Sequence, residues 1–396
     1  MTEPAPSSPS PPSAPVGLRT IAREWGRIGC VGFGGPPAHI ALLRRLVVRD
    51  RRWLDAEEFE DGIAATNLLP GPASTQLAIL CAWRLRGVPG ALIGGLCFIV
   101  PGLVAILLLS ALFLSGEAPV WVRGAAAGAG AAVAAVAVRA ALDLIPSSRA
   151  RSAGSRGHRA RWYAYLLIGG VATVTLGPYL VLVLLACGFA ELAVRRVPIR
   201  TRMLPPFFPP FLAGAPLAAG GLAAVAWLAF KVGALSYGGG FVIIPLMQSE
   251  AVTNYHWMTS GEFTTAVALG QITPGPVVHT VAVVGYAAAG VGGGLLAALV
   301  AFAPSFALVL AAAPRFDRLR ASPAVQGFFD GAGPAVIGAI AGSAVTLGLT
   351  LAHPWQFGVL AAAALALLAL RRGVVTTLLG AGVLGVFAGL AGLPVT

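Results

Sequence analysis

Two Pro-Gly-Pro triplets, Pro70-Gly71-Pro72 and Pro274-Gly275-Pro276, carry polar side chains at matching positions on both sides. Thr75 and Gln76 follow the first triplet, and His279 and Thr280 follow the second at the same spacing. Asn67 and Gln271 lie three residues ahead of each. Such a triplet cannot continue an α-helix, because it removes two amide donors and sterically obstructs the preceding turn. The helix that resumes beyond it offers free N–H groups and the positive end of its dipole, which suits an anion. The predicted chemistry is anion coordination at paired helix breaks, as in transporters built from discontinuous helices. A hinge needed only for packing is the competing reading.

Two glycine-rich segments add to this. Gly32-Phe33-Gly34-Gly35-Pro36 and Ser236-Tyr237-Gly238-Gly239-Gly240 allow close backbone approach, and exposed N–H groups in such a turn form an anion-binding nest. For glycine alone, tight helix packing explains the pattern equally. Gly34 and Gly238 each lie seven residues after a basic residue, Arg27 and Lys231 respectively. Lys231 is the only lysine and sits in the apolar run LAFKVGALSYGGG. A cation there costs about 3 kcal/mol on insertion scales, so it must pair, snorkel or bind a ligand. Anion coordination is the expectation for Lys231, whereas Arg27, close to Arg23, also suits an interfacial snorkelling residue. Thr259-x-x-Glu262 is a capping box and Asp55-x-x-Glu58 its Asp-capped analogue, so capping is the first reading for both glutamates and proton carriage the second.

No enzyme or metal signature accompanies these residues: H-E-x-x-H, G-x-S-x-G, a Walker A loop and Cys/His metal spacings are all missing. No cofactor is expected. The chain is 57% hydrophobic and 11% charged, which cannot cover a globule with polar surface, so a soluble enzyme is excluded. The formal charge of +12 comes from 26 Arg and one Lys against 15 acidic residues. No stacking aromatics accompany the basic clusters, so loop arginines of a membrane protein explain the charge and nucleic acid does not.

The elements that must position these residues come in two copies. Shifted by 204 residues, Gly29–Pro72 aligns without a gap on Gly233–Pro276, with 13 of 44 positions identical. The match resumes at an offset of 203, pairing Gly87 with Gly290 and Pro101 with Pro304. In the first half, arginines cluster at 84–86, 149–161 and 195–202; in the second, the equivalents of those loops lack them and Arg315, Arg318, Arg320, Arg371 and Arg372 mark the alternate loops. Equivalent loops therefore face opposite sides. The expected fold is an all-α polytopic membrane protein of two inverted-topology homologous repeats.

Apolar helices are predicted over 88–114, 120–145, 163–177, 179–194, 211–230, 290–313, 325–348, 355–370 and 373–395. The PGP segments, 62–83 and 266–286, are read as re-entrant helical hairpins, because basic residues flank both ends of the first and neither end of the second. One Pro-kinked spanning helix is the alternative. The organisation expected is a Pro/Ser-rich disordered tail over 1–16 without the apolar core of a cleavable signal, a first repeat core over 17–145, a basic cytoplasmic loop over 146–162, a helix pair over 163–194, a basic Pro-rich linker over 195–210, and the second repeat over 211–396. Gly90-x-x-x-Gly94, Gly124-x-x-x-Gly128 and Gly290-x-x-x-Gly294 permit tight helix contacts, either within the chain or in a homodimer.

The runs FGGPPAHIALLRRLVVRDRRWLDAEEFEDGIAATNLLPGP and SYGGGFVIIPLMQSEAVTNYHWMTSGEFTTAVALGQITPGP resemble the two halves of the chromate ion transporter (CHR) family, bacterial chromate-resistance permeases. The combination FGG, RRW, EF and PGP carries the resemblance, which covers nearly the whole chain outside the tail and the 146–162 loop. The chain departs from the family pattern at Ser236-Tyr237 and at Ile272-Thr273-Pro274. The resemblance implies a multi-pass protein of the plasma (inner) membrane, surrounded by lipid, that exports chromate, with sulfate as the natural look-alike. A transporter of sulfate or another anion, and a non-transporting intramembrane enzyme or sensor, are the alternatives.

Overall fold

The computed structural model describes residues 16–67, 69–114, 118–151, 156–176, 179–195, 221–236, 241–315 and 322–395. The predicted tail (except Val16), most of the 195–210 linker and the first part of the 211–230 apolar stretch lie outside the described residues. All regular elements among the described residues are helical.

The first half opens with α1 (Leu18–Val31), a glycine turn, α2 (Gly35–Arg44) and a π-helical extension over Arg45–Asp50. After α3 (Ala56–Thr66) and the first PGP break comes α4 (Ala73–Phe113). This last helix is two arms rather than one rod. Arg86 (φ −148°, ψ 25°) and Gly87 (φ 58°, ψ −147°) leave helical space, and the second of these conformations is open essentially only to glycine. A Cβ on Gly95 would lie 2.8 Å from Ile79, whereas sixteen residues of continuous helix would separate the two by about 24 Å. The chain has doubled back, giving a short arm over 73–85 and a long arm over 88–113.

Antiparallel to the short arm lies α3. Glu58 pairs with Arg84 at 3.3 Å, and a Cβ on Gly62 would sit 3.3 Å from Leu77 and 3.5 Å from Leu80. The pair forms a helical hairpin with PGP at its tip. Asp55 makes no side-chain cap hydrogen bond, so the expected Asp-capped analogue does not form: Glu58 is drawn to the Arg84 guanidinium instead. The Thr259–Glu262 capping box does form, reciprocally.

After α5 (Val120–Arg151), α6 (Arg156–Leu176) and α7 (Leu180–Val194), the pattern recurs in the second half. It comprises α8 (Leu222–Leu235), α9 (Ile244–Gln248) with a π-helical extension over Ser249–Asn254, α10 (Ser260–Ile272) and α11 (Thr280–Ala312). The reversal recurs too, at Ala289 (φ −153°, ψ 31°) and Gly290 (φ 62°, ψ −154°), dividing α11 into arms over 280–288 and 291–312. The chain closes with α12 (Pro323–Gly348), α13 (Pro354–Ala364) and α14 (Val374–Leu390). Where described, the expected 146–162 loop is mostly helical: α5 runs on through Pro146, and Ser148 Oγ of α5 accepts from Trp162 Nε1 of α6 at 2.9 Å.

Glycine brings the helices to backbone contact. Gly29 of α1 faces the Phe98 carbonyl of the long arm, where a Cβ would lie 2.7 Å away; Gly233 of α8 faces the Ala301 carbonyl in the same manner. The small-residue stripes are used inside the chain: Gly90 and Gly94 against Ala82, Gly124 and Gly128 against Gly385 and Ala381 of α14, Gly294 against Ala282. A charged cluster then ties α6 and α7 to α12. Glu191, fully buried, accepts two bonds from Arg161 (2.8 and 3.0 Å), one from Arg195 (2.8 Å) and one from Tyr165 (3.2 Å), and Arg195 also reaches Asp330 of α12 at 2.8 Å.

The outer surface suits acyl chains. Val88, Leu92, Leu96, Val100, Val104, Leu108 and Leu112 recur at every fourth residue of the long arm and are 41–68% exposed. A water-soluble surface rarely carries an apolar stripe of that length. At about 1.5 Å per residue the 26-residue arm is some 39 Å long, enough to cross a bilayer.

Candidate functional site

The two breaks are built alike and exchanged between the halves. At the first, Gly71 takes φ +123°, Pro72 becomes the N-cap of α4, and the amides of Thr75 and Gln76 close the first bonds to the Pro72 carbonyl. The Gln76 amide nitrogen folds back to donate to Pro70 O at 2.7 Å. Gly71 faces α11 of the other half, where its Cβ would lie 3.1 Å from Ser305 Oγ. At the second, Gly275 takes φ +94° and Pro276 leads through a single 3-10 turn, Val277–His279, into α11. Here Pro274 O meets Gly102 of the first-half long arm, and Gly275 N–H donates to the Gly32 carbonyl at 2.9 Å. Gly102 and Ser305 are repeat equivalents, so each break rests on the corresponding point of the other half.

Around these contacts lie polar atoms that the protein leaves unused. Among the described residues, Thr75 Oγ1, Gln76 Oε1, Ser236 Oγ, Gln271 Nε2, Ser305 Oγ and both ring nitrogens of His279 are buried without a hydrogen-bond partner. Buried polar groups are ordinarily paired, and leaving one unpaired costs roughly 1–3 kcal/mol. Six of these seven atoms lie within four residues of a PGP triplet or at Ser305, which faces the first. Most are hydroxyl, amide or imidazole groups able to donate, the chemistry that holds an oxyanion. The His279 ring is fixed edge-on to Phe302 at 5.1 Å, opposite the space left by Gly102. Thr280 is satisfied by Val277 O at 2.8 Å.

The glycine turn of the first half is also drawn in. Gly34 (φ +97°) and Gly35 (φ +72°) open α2, and a Cβ on Gly35 would lie 3.7 Å from Val277 of the second break. His39 on α2 is fully buried, with Nε2 2.9 Å from Gly32 O and Nδ1 3.1 Å from Ser74 Oγ. Tyr237, Gly238 and Gly239 of the second turn lie outside the described residues.

Other expected ligands are placed elsewhere or engaged. Asn67 is exposed at the C-cap of α3. Arg27 has a side chain 64% exposed and pairs with Glu24 at 3.5 Å, while Arg51 pairs with the same carboxylate at 2.7 Å. Lys231 pairs with Glu250 and lies 5.8 Å over the Trp227 ring. The two arrangements are charge-exchanged versions of one brace. In the first half the acid is on the opening helix and a base follows the π-helical segment; in the second the base is on the helix and the acid on the π-helical segment. Leu228 and Leu46 occupy the positions equivalent to Glu24 and Glu250, so the repeat alignment conceals the relationship.

Sequence reasoning passed over His39, Ser74, Gly102 and Ser305. The Pro101/Pro304 match was the available signal for the last two, which directly follow those prolines. For His39 and Ser74 no local pattern exists, because their partners are set by packing.

A family model described as chromate transporter matches residues 19–192 and 223–386. The chain is 31% identical over 340 residues to a chromate transport protein of Cupriavidus metallidurans, covering 83% of this chain and 82% of that one. It is 30% identical over 344 residues to a probable chromate transport protein of Synechococcus elongatus (85% and 86% covered), and 28% identical over 349 residues to a chromate transport protein of Pseudomonas aeruginosa (84% and 82%). No solved structure matches the chain.

Proposed function

The chain belongs to the chromate transporter family, and on that footing we propose that it exports chromate from the cytoplasm across the plasma (inner) membrane by alternating access around the two PGP breaks. The family is one of membrane transporters, not enzymes. The observation that carries the reading is the meeting of each break with the opposite half, together with buried polar atoms beside both breaks that have no partner among the described residues. Donors held rigidly in a low-dielectric interior stabilise an oxyanion without a bare counter-charge. The resuming helices add their positive ends.

In this reading the two α-helical hairpins that end in PGP enter from opposite faces and stop near the midplane. The matched reversals at Gly87 and Gly290 and the alternation of arginine loops support inverted repeats. Thr75, Gln76, Ser305, Gln271, Ser236 and His279 contact the anion, and the first glycine turn brings backbone N–H groups to it. Arg27 and Lys231 contribute positive field while shared with carboxylates. Expelling a dianion from an inside-negative cell is favourable by about 4.6 kcal/mol per 100 mV, twice the single-charge value. That exceeds three decades of concentration ratio, so the potential suffices as driving force and Glu58 and Glu262 need carry no protons. Chromate and sulfate present four oxygens on similar tetrahedra, and exchange against sulfate follows from that likeness.

Counterflow in proteoliposomes containing the full chain is the test. Labelled chromate should accumulate saturably in vesicles preloaded with chromate or sulfate, and faster with a potential of the favourable sign. A flux no greater than that of protein-free vesicles would overturn the reading, and counterflow with sulfate but never with chromate would reassign the substrate.

A further inference from the structure

The geometry points to His39 as the positioning residue that holds the two breaks in register, a role that rests on the breaks being the substrate site. A carbonyl can only accept, so His39 Nε2, 2.9 Å from Gly32 O, carries the hydrogen. Nδ1 of the neutral ring then accepts from Ser74 Oγ at 3.1 Å. Gly32 O takes a second hydrogen bond, from Gly275 N–H at 2.9 Å. One buried imidazole thus joins the first-half glycine turn to the helix after the first break, and through the shared carbonyl to the second break. Ser74 immediately precedes Thr75 and Gln76, whose side chains carry unpartnered oxygens. The ring is itself fixed, standing edge-on to Phe98 at 5.1 Å and 87°.

The device is one-sided. In the second half the positions of His39, Ser74 and Gly32 are taken by Ile243, Val278 and Ser236, which cannot repeat the network. Ser236 Oγ is instead left without a partner. The first glycine turn is therefore bonded to both breaks, and the order of the substrate donors depends on a group that touches no substrate.

Three substitutions separate the two bonds. In His39→Gln the side-chain amide reaches the place of Nε2 and keeps the bond to Gly32. In His39→Asn it reaches only the place of Nδ1 and keeps the bond to Ser74. His39→Phe fills the volume and keeps neither. Initial rates of chromate uptake against concentration in proteoliposomes, normalised to folded protein, give KM and Vmax for each. His39→Phe should raise KM about tenfold, the factor for orphaning one buried partner. Gln and Asn each keep one end of the bridge and should recover only part of that loss, and Ser74→Ala added to His39→Gln should change KM no further. A merely structural role lowers the amount of active carrier and leaves KM alone, so wild-type KM in all three variants would overturn the assignment. If Phe does not fold, wild-type KM in both Gln and Asn does so. Failure of the site reading looks different: the wild-type protein itself would show no saturable chromate flux.

Discussion

Gly275 donates its backbone N–H to the carbonyl of Gly32 at 2.9 Å, fastening the second break to the glycine turn of the opposite half. The residues are 243 positions apart in the chain and belong to different repeats. A break held this way is not a free kink, because it is bonded to the turn between α1 and α2 of the other half.

Substitution at the two points on which the breaks rest should have unequal effects. A methyl group at Gly102 would collide with Pro274 O, a backbone atom that cannot swing aside. Gly102→Ala should therefore lower chromate flux at least about tenfold. Ser305→Ala removes only an unpartnered hydroxyl; it should leave the melting temperature unchanged and raise the KM for chromate several-fold. Flux assays with paired thermal melts check both.

Lys231→Ala should destabilise the folded chain by about 3 kcal/mol, since it strands the buried carboxylate of Glu250. Adding Glu250→Leu, which installs the residue found at the equivalent first-half position, should restore most of the melting temperature. Recovery of flux along with stability would assign Lys231 to the brace alone, whereas recovery of stability without flux would place its charge in the anion site.

Glu191→Gln should cost roughly 3–5 kcal/mol, because it leaves two guanidinium groups without their shared carboxylate. Thermal unfolding in detergent reads the loss. Chromate KM in the surviving folded fraction should match wild type, as none of the cluster lies at the breaks.

Single cysteines at Val88 and Val291, next to the two reversals, should label from opposite sides in a chain whose four native cysteines are replaced. Val88→Cys should react with an impermeant thiol reagent only from the cytoplasm and Val291→Cys only from outside. Labelling of both from one side would remove the inverted topology.

The capping box gives a local check. Thr259→Ala should cost about 1 kcal/mol, the usual value of an N-cap, since Thr259 and Glu262 bond reciprocally. Asp55→Ala should cost clearly less, because Asp55 makes no cap bond. Equal losses in thermal melts would contradict the difference between the halves.

Much of this protein follows from its amino-acid order alone. The two PGP breaks, the duplication and the arginine alternation depend on residues close in the chain, since proline blocks a helix and arginine loops orient a span regardless of distant partners. The Thr259–Glu262 cap was legible for the same reason. Only the tertiary structure decided which residues those breaks face. That Gly71 meets Ser305, that Pro274 meets Gly102, and that His39 joins Gly32 to Ser74 depends on helices from different hairpins reaching backbone contact. The charges show the limit most plainly: Lys231 is conspicuous as the lone lysine, yet its partner Glu250 has leucine at the equivalent place in the other half. Burial sets pairing through space, and no repeat register records which side chain will be nearest once the helices pack.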